Sequence, residues 1–115
     1  MDKLLNALMT AINNKDEPAQ LAAEDNIMRE SRANRLAAFQ ALTLANEILA
    51  DMENNVVEAF KATFPYANSQ EDTDAMNAWR PARIARDEAQ LAYNAAVHKT
   101  RCAKRAISKI YSAAA

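Results

Sequence analysis

The sequence predicts an all-α protein in which a short N-terminal helix precedes a long antiparallel helical hairpin with a coiled-coil-like, alanine-rich seam. The first observation is composition: the 115 residues include 27 alanines and no glycine, so strong helix formers are abundant and the most flexible residue is missing. The second is the placement of the three prolines, Pro18, Pro65 and Pro81, which leaves long stretches without a helix breaker.

The first helix is predicted over about residues 2–14. Apolar residues recur there at helical spacing, and Asp2 is a suitable N-cap. A break follows, because asparagines favour helix ends and Pro18 suits the first turn of the next helix. Asp16 or Glu17 can cap that next helix.

The second helix is predicted over about residues 18–63, and its second half has one apolar face. That face comprises Ala38, Leu42, Ala45, Leu49, Met52, Val56, Ala59 and Phe60, and Ala41 and Ile48 are expected to widen it. In the first half the apolar residues lie about a quarter turn away from this face, so that half is expected to pack against another element, the first helix being nearest. These residues are Leu21, Met28, Leu36 and Phe39.

The third helix is predicted over about residues 74–112, after a turn between residues 64 and 73 in which Ser69 or Thr73 can act as the cap. Pro81 either kinks this helix or resets its start. Its predicted apolar face is rich in alanine, and small residues let two helices approach closely. That face comprises Ile84, Leu91, Ala95, Cys102, Ala106 and Ile110, flanked by Ala85, Ala92, Ala103 and Ile107.

A turn centred near Ser69 predicts that facing residues of the hairpin have numbers adding up to about 138. This register places three arginines near acids of the second helix. The arginines are Arg80, Arg83 and Arg86, and the acids are Glu53, Glu58 and Asp51. Glu88 falls within the predicted apolar face, so we expect it to be buried and hydrogen-bonded to an asparagine of the second helix.

We interpret residues 1–115 as a single helical domain. A two-helix hairpin buries little apolar surface by itself. Completion by a further partner or by oligomerisation is therefore expected.

Charge is divided unequally along the chain. Residues 1–79 contain 6 basic and 13 acidic residues, whereas residues 80–115 contain 8 basic and 2 acidic residues. Cations interleaved with aromatic rings are typical of nucleic-acid contacts, but the same cations can pair with acids of the facing helix or with an acidic protein. One end of the hairpin is predicted to be a basic pole formed by Arg29, Arg32, Arg35, Arg101, Lys104 and Arg105.

The composition argues against an enzyme. Without glycine there is no dinucleotide-binding fingerprint and no P-loop. His98 and Cys102 are the one histidine and the one cysteine, too few ligands for a zinc site, and we expect His98 at the edge of the seam and Cys102 to be buried. We therefore predict no catalytic residue, cofactor or metal. No signal peptide or membrane span is recognisable, which favours a cytoplasmic location without membrane association.

The leading hypothesis is a non-catalytic interaction protein, such as an adaptor, inhibitor or accessory subunit, that docks a helix face on a macromolecular partner with electrostatic steering. We expect a protein partner and a homo-oligomer. Candidate partner-binding residues are Trp79, Arg80, Arg83, Tyr93, Val97, Leu44 and Val57. The alternative is a nucleic-acid-binding protein that uses the six residues of the basic pole.

Overall fold

The computed structural model describes residues 2–64 and 70–115, which form three α-helices: α1 (Asp2–Asn13), α2 (Glu17–Thr63) and α3 (Gln70–Ala114). These two ranges contain no β-strand. The predicted all-α class, with a short first helix and a long antiparallel hairpin, is confirmed.

The start of α3 was predicted too late. The helix begins at Gln70, not near residue 74, and the Gln70 side-chain amide donates a hydrogen bond of 2.8 Å to Asp74. Acidic residues in the first turn, Glu71 and Asp72, favour a helix N-terminus. Thr73 therefore lies inside the helix, while the alternative cap, Ser69, lies outside the described residues.

Pro81 lies inside α3, which continues from Gln70 to Ala114. Of the two predicted alternatives for this proline, a kink or a new helix start, the new start is excluded. Proline removes one intrahelical hydrogen bond, but the helix has a formed turn on each side of it.

A compact turn joins α1 to α2. Lys15 takes a positive φ of 53°, and its amide donates to Ile12 O while the Asp16 amide donates to Ala11 O, both at 3.0 Å. These two bonds define a Schellman ending, in which glycine is the usual residue at the positive-φ position. Asp16 then caps α2, because its Oδ1 accepts a bond of 3.3 Å from the Ala19 amide.

The described helices are grouped in two compact units. Unit 1 comprises Met1–Ala37 and Asn94–Ala115 and so contains α1, the beginning of α2 and the end of α3. Its core consists of Leu8, Ala23, Ile27, Met28 and Ala103. All three helices contribute to that core, so α1 packs on the paired parts of α2 and α3. The first helix is thus the element against which the first half of α2 packs, but of the four predicted contact residues only Met28 is buried, whereas Leu21, Leu36 and Phe39 are exposed.

Unit 2, Ala38–Tyr93, is a two-helix antiparallel hairpin formed by the rest of α2 and the start of α3. Its buried and half-buried positions recur in alternating steps of three and four residues, which is the heptad pattern of coiled coils. In α2 they are Ala38, Leu42, Ala45, Leu49, Met52, Val56 and Ala59; in α3 they are Asp72, Ala75, Trp79, Ala82, Arg86, Ala89 and Tyr93. Met76, next to Ala75, is half-buried as well and lies outside this pattern. The predicted α2 seam is thus observed, except that Phe60 and the two residues expected to widen it, Ala41 and Ile48, are exposed.

The predicted seam of α3 needs correction. Ile84 and Leu91 are 60% and 69% exposed, and Glu88 and Cys102 are exposed as well. The prediction placed Ile84 and Leu91 on the seam, whereas the seam of unit 2 contains Ala82, Arg86, Ala89 and Tyr93. Of the predicted face and its flanks, Ala103 is buried and Ala106, Ile107 and Ile110 are half-buried in unit 1, whereas Ala85, Ala92 and Ala95 are exposed.

The register of the hairpin also differs from the prediction. The rings of Phe39 and Tyr93 lie 5.9 Å apart, and their residue numbers add up to 132 instead of 138. No described helix contains a stretch that is both long and apolar enough to cross a membrane.

Candidate interaction surface

The two flanks of the unit 2 seam differ in chemistry. On α2, one flank contains the residues that follow Ala38 and Ala59, namely Phe39 and Phe60. On α3, the matching residues include Met76 and Arg83. We call this flank, together with Glu53, Val57, Trp79 and Arg80, the aromatic face.

A groove lies within the aromatic face. It has a volume of about 340 Å³ and is lined by Glu53, Val56, Val57, Met76 and Trp79. Four of its five lining residues are apolar. The groove therefore presents an apolar floor with one carboxylate beside it.

Arg83 lies over the ring of Trp79, which is one of the residues that line this groove. Its guanidinium carbon is 5.4 Å from the centre of the Trp79 ring, which is within the range of a cation–π contact. This contact holds the guanidinium against the indole while both remain accessible. Tryptophan and arginine are the residues most enriched among energetically important positions of protein interfaces.

Aromatic side chains extend the face in both directions. Phe39 packs on Tyr93 at 5.9 Å, and Phe60 packs on Phe64 at 6.1 Å between ring centroids. Phe39 and Phe60 nevertheless remain 52% and 53% exposed. Phe39 and Phe60 thus each contact another aromatic ring and still remain exposed to solvent.

The predicted partner-binding residues are brought together only in part. Trp79, Arg80, Arg83 and Val57 belong to the aromatic face. Tyr93 is half-buried in the seam, where it contacts Phe39. Leu44 is 58% exposed on the opposite flank of α2, and Val97 is half-buried in unit 1.

Sequence reasoning missed Phe39, Phe60 and Met76 as parts of the surface. Phe60 was assigned to the seam and Phe39 to a contact with the first helix. The signal that finds them is the heptad: each residue directly follows a small seam residue, Ala38, Ala59 or Ala75.

The residues of the predicted basic pole all lie in unit 1. Arg29 forms an ion pair with Asp25 at 2.9 Å, and Arg35 is half-buried. The other four, Arg32, Arg101, Lys104 and Arg105, are exposed. No ion pair joins these four to an acid in the part of the chain that the structure describes.

The predicted ion pairs across the hairpin are not formed. Arg86 pairs with its neighbour Asp87 at 3.0 Å, and Glu58 pairs with Lys61 at 3.8 Å. The shifted register explains this result, because it moves each arginine away from the acid predicted to face it. Within residues 2–64 and 70–115, the ion pairs are local to one helix.

A second cavity, of about 420 Å³, lies in unit 1 between the start of α1 and the other two helices. Cys102 lines it, and the Cys102 sulfur is 3.4 Å from His98 Nε2. Both residues are exposed, so the expectation of a buried cysteine is wrong. Among the described residues, no three potential metal ligands lie together.

Comparison of the chain with protein-family models, curated proteins and solved structures finds no match. The function is therefore argued from the residues and their geometry.

Proposed function

We propose that the protein is a non-catalytic helical interaction protein, an adaptor, inhibitor or accessory subunit, that docks the aromatic face of unit 2 on a macromolecular partner. The groove at Trp79, with Arg83 over the indole ring at 5.4 Å, carries this proposal. A large apolar side chain of the partner fills the groove, and a carboxylate of the partner pairs with Arg83 beside the groove.

The burial pattern of unit 2 supports docking. Among the large hydrophobic residues of this unit, Leu42 and Leu49 are buried, whereas eight others are exposed. The exposed ones are Phe39, Leu44, Ile48, Val57, Phe60, Phe64, Ile84 and Leu91. A concentration of exposed apolar residues of this kind is typical of an interaction surface.

The charge of each unit supports electrostatic steering. Unit 1 contains ten basic and six acidic residues, whereas unit 2 contains four basic and nine acidic residues. An uneven field of this kind accelerates and orients encounter with a charged partner.

Affinity capture with matched variants tests the proposal. The wild-type protein, a Trp79→Ala variant and a Leu21→Ala control are used as baits in extract of the native cell, and bound proteins are quantified by mass spectrometry. Leu21 is 67% exposed and lies in unit 1, so it controls for loss of an exposed apolar side chain. We expect a protein that wild type and Leu21→Ala capture and that Trp79→Ala loses by about tenfold or more. Equal capture by all three baits contradicts the proposal.

Nucleic-acid binding through unit 1 is the second candidate, favoured by the four exposed cations at Arg32, Arg101, Lys104 and Arg105. Binding of labelled DNA or RNA is measured by fluorescence anisotropy at several salt concentrations. Phosphate contacts predict a steep loss of affinity with salt and a weaker salt dependence in an Arg101→Ala, Arg105→Ala double variant. No binding at low salt eliminates this candidate.

A further inference from the structure

Two isoleucines at equivalent heptad positions have opposite environments. Ile27 and Ile48 are 21 residues apart on α2, which is three heptads, and each directly precedes a seam residue, Met28 or Leu49. Ile27 is 1% exposed, because it packs in the unit 1 core with Leu8 of α1. Ile48 is 45% exposed. The flank that α1 covers in unit 1 is therefore left uncovered in unit 2.

The uncovered flank of unit 2 has the shape and composition of a helix-docking surface. On α3 its central positions are alanines, which let a neighbouring helix approach closely, and on α2 larger side chains stand beside them. Its apolar residues are Ala41, Leu44, Ile48, Ala78, Ala85 and Ala92. In unit 1 the corresponding flank receives the apolar side of α1, with Leu8 fully buried.

The rim of this flank is uniformly acidic. The charged residues at its heptad positions are Asp51, Glu58, Glu71, Asp74 and Glu88, all exposed. Glu58 pairs at 3.8 Å with Lys61, which lies outside these positions. No lysine or arginine of unit 2 occupies these positions. The aromatic face, by contrast, contains two arginines, Arg80 and Arg83, and one acid, Glu53. We call the apolar residues and their five acids the acidic face.

We propose that the acidic face of unit 2 binds an amphipathic helix of another protein whose apolar stripe is flanked by lysine or arginine. The apolar stripe covers Ile48, Leu44 and the alanines, as α1 covers Ile27. The flanking cations lie beside the acids of the rim, and charge complementarity selects this helix over a neutral or acidic one. The acidic face is separate from the aromatic face, so this binding goes beyond the proposed function.

A second copy of this chain does not fit the acidic face. Two copies of the face would bring carboxylates against carboxylates, which costs binding energy. The short helix α1 contains one lysine, Lys3, and its apolar side is already used in the core of unit 1.

Binding of two synthetic peptides to the full-length protein tests the proposal. The first peptide is a labelled helix of about three heptads with a leucine and alanine stripe flanked by lysines, and the second replaces each lysine with glutamate. We expect the lysine peptide to bind at least about tenfold more tightly than the glutamate peptide, and to lose affinity as salt rises. Fluorescence anisotropy measures both affinities.

Matched variants locate the binding site. Reversing two rim charges, Asp51→Lys with Glu88→Lys, is expected to weaken binding of the lysine peptide by about tenfold or more. The control Glu53→Lys reverses a neighbouring acid on the aromatic face and is expected to change affinity less than about twofold. Ile48→Ser is expected to weaken binding, and Val57→Ser, at a residue of similar exposure, is not. Circular dichroism verifies that each variant remains helical.

Three results would overturn the proposal. The first is equal affinity for the two peptides, or no binding of either. The second is binding that survives Ile48→Ser and is lost in Val57→Ser, which assigns the peptide to the aromatic face. The third is self-association that Ile48→Ser abolishes, which makes a second copy the occupant. None of these results affects the affinity-capture experiment with the Trp79→Ala variant. The proposed function is therefore tested separately.

Discussion

At the scale of single residues, the absence of glycine has a structural cost at one position. The turn between α1 and α2 needs a positive φ, and Lys15 adopts it at 53°. Side chains with a Cβ resist this conformation. The sequence predicted a break here and named Asp16 as a possible cap, but nothing in the sequence indicated that a lysine would take the strained position.

Replacing Lys15 with glycine is expected to stabilise the protein by about 0.5 to 1 kcal/mol, because glycine adopts positive φ without the Cβ penalty. Urea unfolding followed by circular dichroism measures the change. The control Lys15→Ala removes the same charge but keeps the Cβ, and we expect no stabilisation from it. An equal gain in both variants would show that charge, and not backbone conformation, is responsible.

Tyr111 links the C-terminal part of α3 to α2. The Glu24 carboxylate accepts a hydrogen bond from the Tyr111 hydroxyl, and this bond, with partial burial, raises the pKa of Tyr111 above its ordinary value of 10.0. The stabilisation is present below pH 10.0 and is lost as pH rises through the raised pKa, because ionisation breaks the bond.

A Glu24→Gln substitution is expected to lower the pKa of Tyr111, because it removes the negative charge that opposes ionisation. The ultraviolet absorbance of tyrosinate during an alkaline titration reports the shift. Tyr111→Phe identifies the signal of this residue among the three tyrosines. Superimposable titrations of wild type and Glu24→Gln would contradict the assignment.

At the scale of helices, the number and type of elements followed from the sequence, because the breaks at both ends of α2 are marked by asparagine, proline and acidic residues. The seam of α2 was also predictable, since its large apolar residues, such as Leu42 and Leu49, lie on the seam. The seam of α3 in unit 2 was not, because Ile84 and Leu91 are exposed while Arg86 and Tyr93 share the seam with alanines. Hydrophobicity alone therefore selects the wrong face of α3.

The sequence predicted the aromatic face only in part. Trp79, Arg83 and Val57 were identified from residue type and from their distance from the seam. The groove itself depends on the register of the hairpin, and an error of six residues in that register was enough to hide it. Proline and asparagine indicate where the turn lies but not which residue is at its centre, so short-range patterns do not fix the register of the hairpin.

Packing of α1 is expected to depend on Leu8, which is fully buried, far more than on its neighbour Met9, which is 41% exposed. Leu8→Ala is expected to destabilise the protein by about 3 kcal/mol, because it leaves a cavity in the core of unit 1. Met9→Ala is the control and is expected to cost less than about 1 kcal/mol. Denaturant unfolding measures both, and similar losses would show that α1 does not pack as described.

At the scale of the whole molecule, exposed surface is in excess. The chain exposes 8238 Å², whereas a folded monomer of 12.7 kDa exposes about 6,200 Å² by the usual scaling of area with mass. The difference, about 2,000 Å², is comparable to the area buried in a stable protein complex. This excess supports the prediction that the chain associates with further copies or with other proteins.

Self-association through the aromatic face is expected to produce a dimer or a larger homo-oligomer in sedimentation velocity experiments. Phe60→Ala with Trp79→Ala is expected to shift the protein towards monomer, because both rings belong to that face. Leu21→Ala, in unit 1, is the control and is expected to leave the distribution unchanged. A wild-type protein that remains monomeric at high concentration would contradict the homo-oligomer and leave docking on another protein as the use of the face.

The exposed thiol of Cys102 has a practical consequence. The sequence contains one cysteine, and its sulfur is accessible beside the cavity at the start of α1. A maleimide dye or nitroxide therefore attaches at a single defined site without any engineered cysteine. Because Leu4 lines the same cavity, the spectrum of such a label reports directly whether α1 remains seated while a partner is bound.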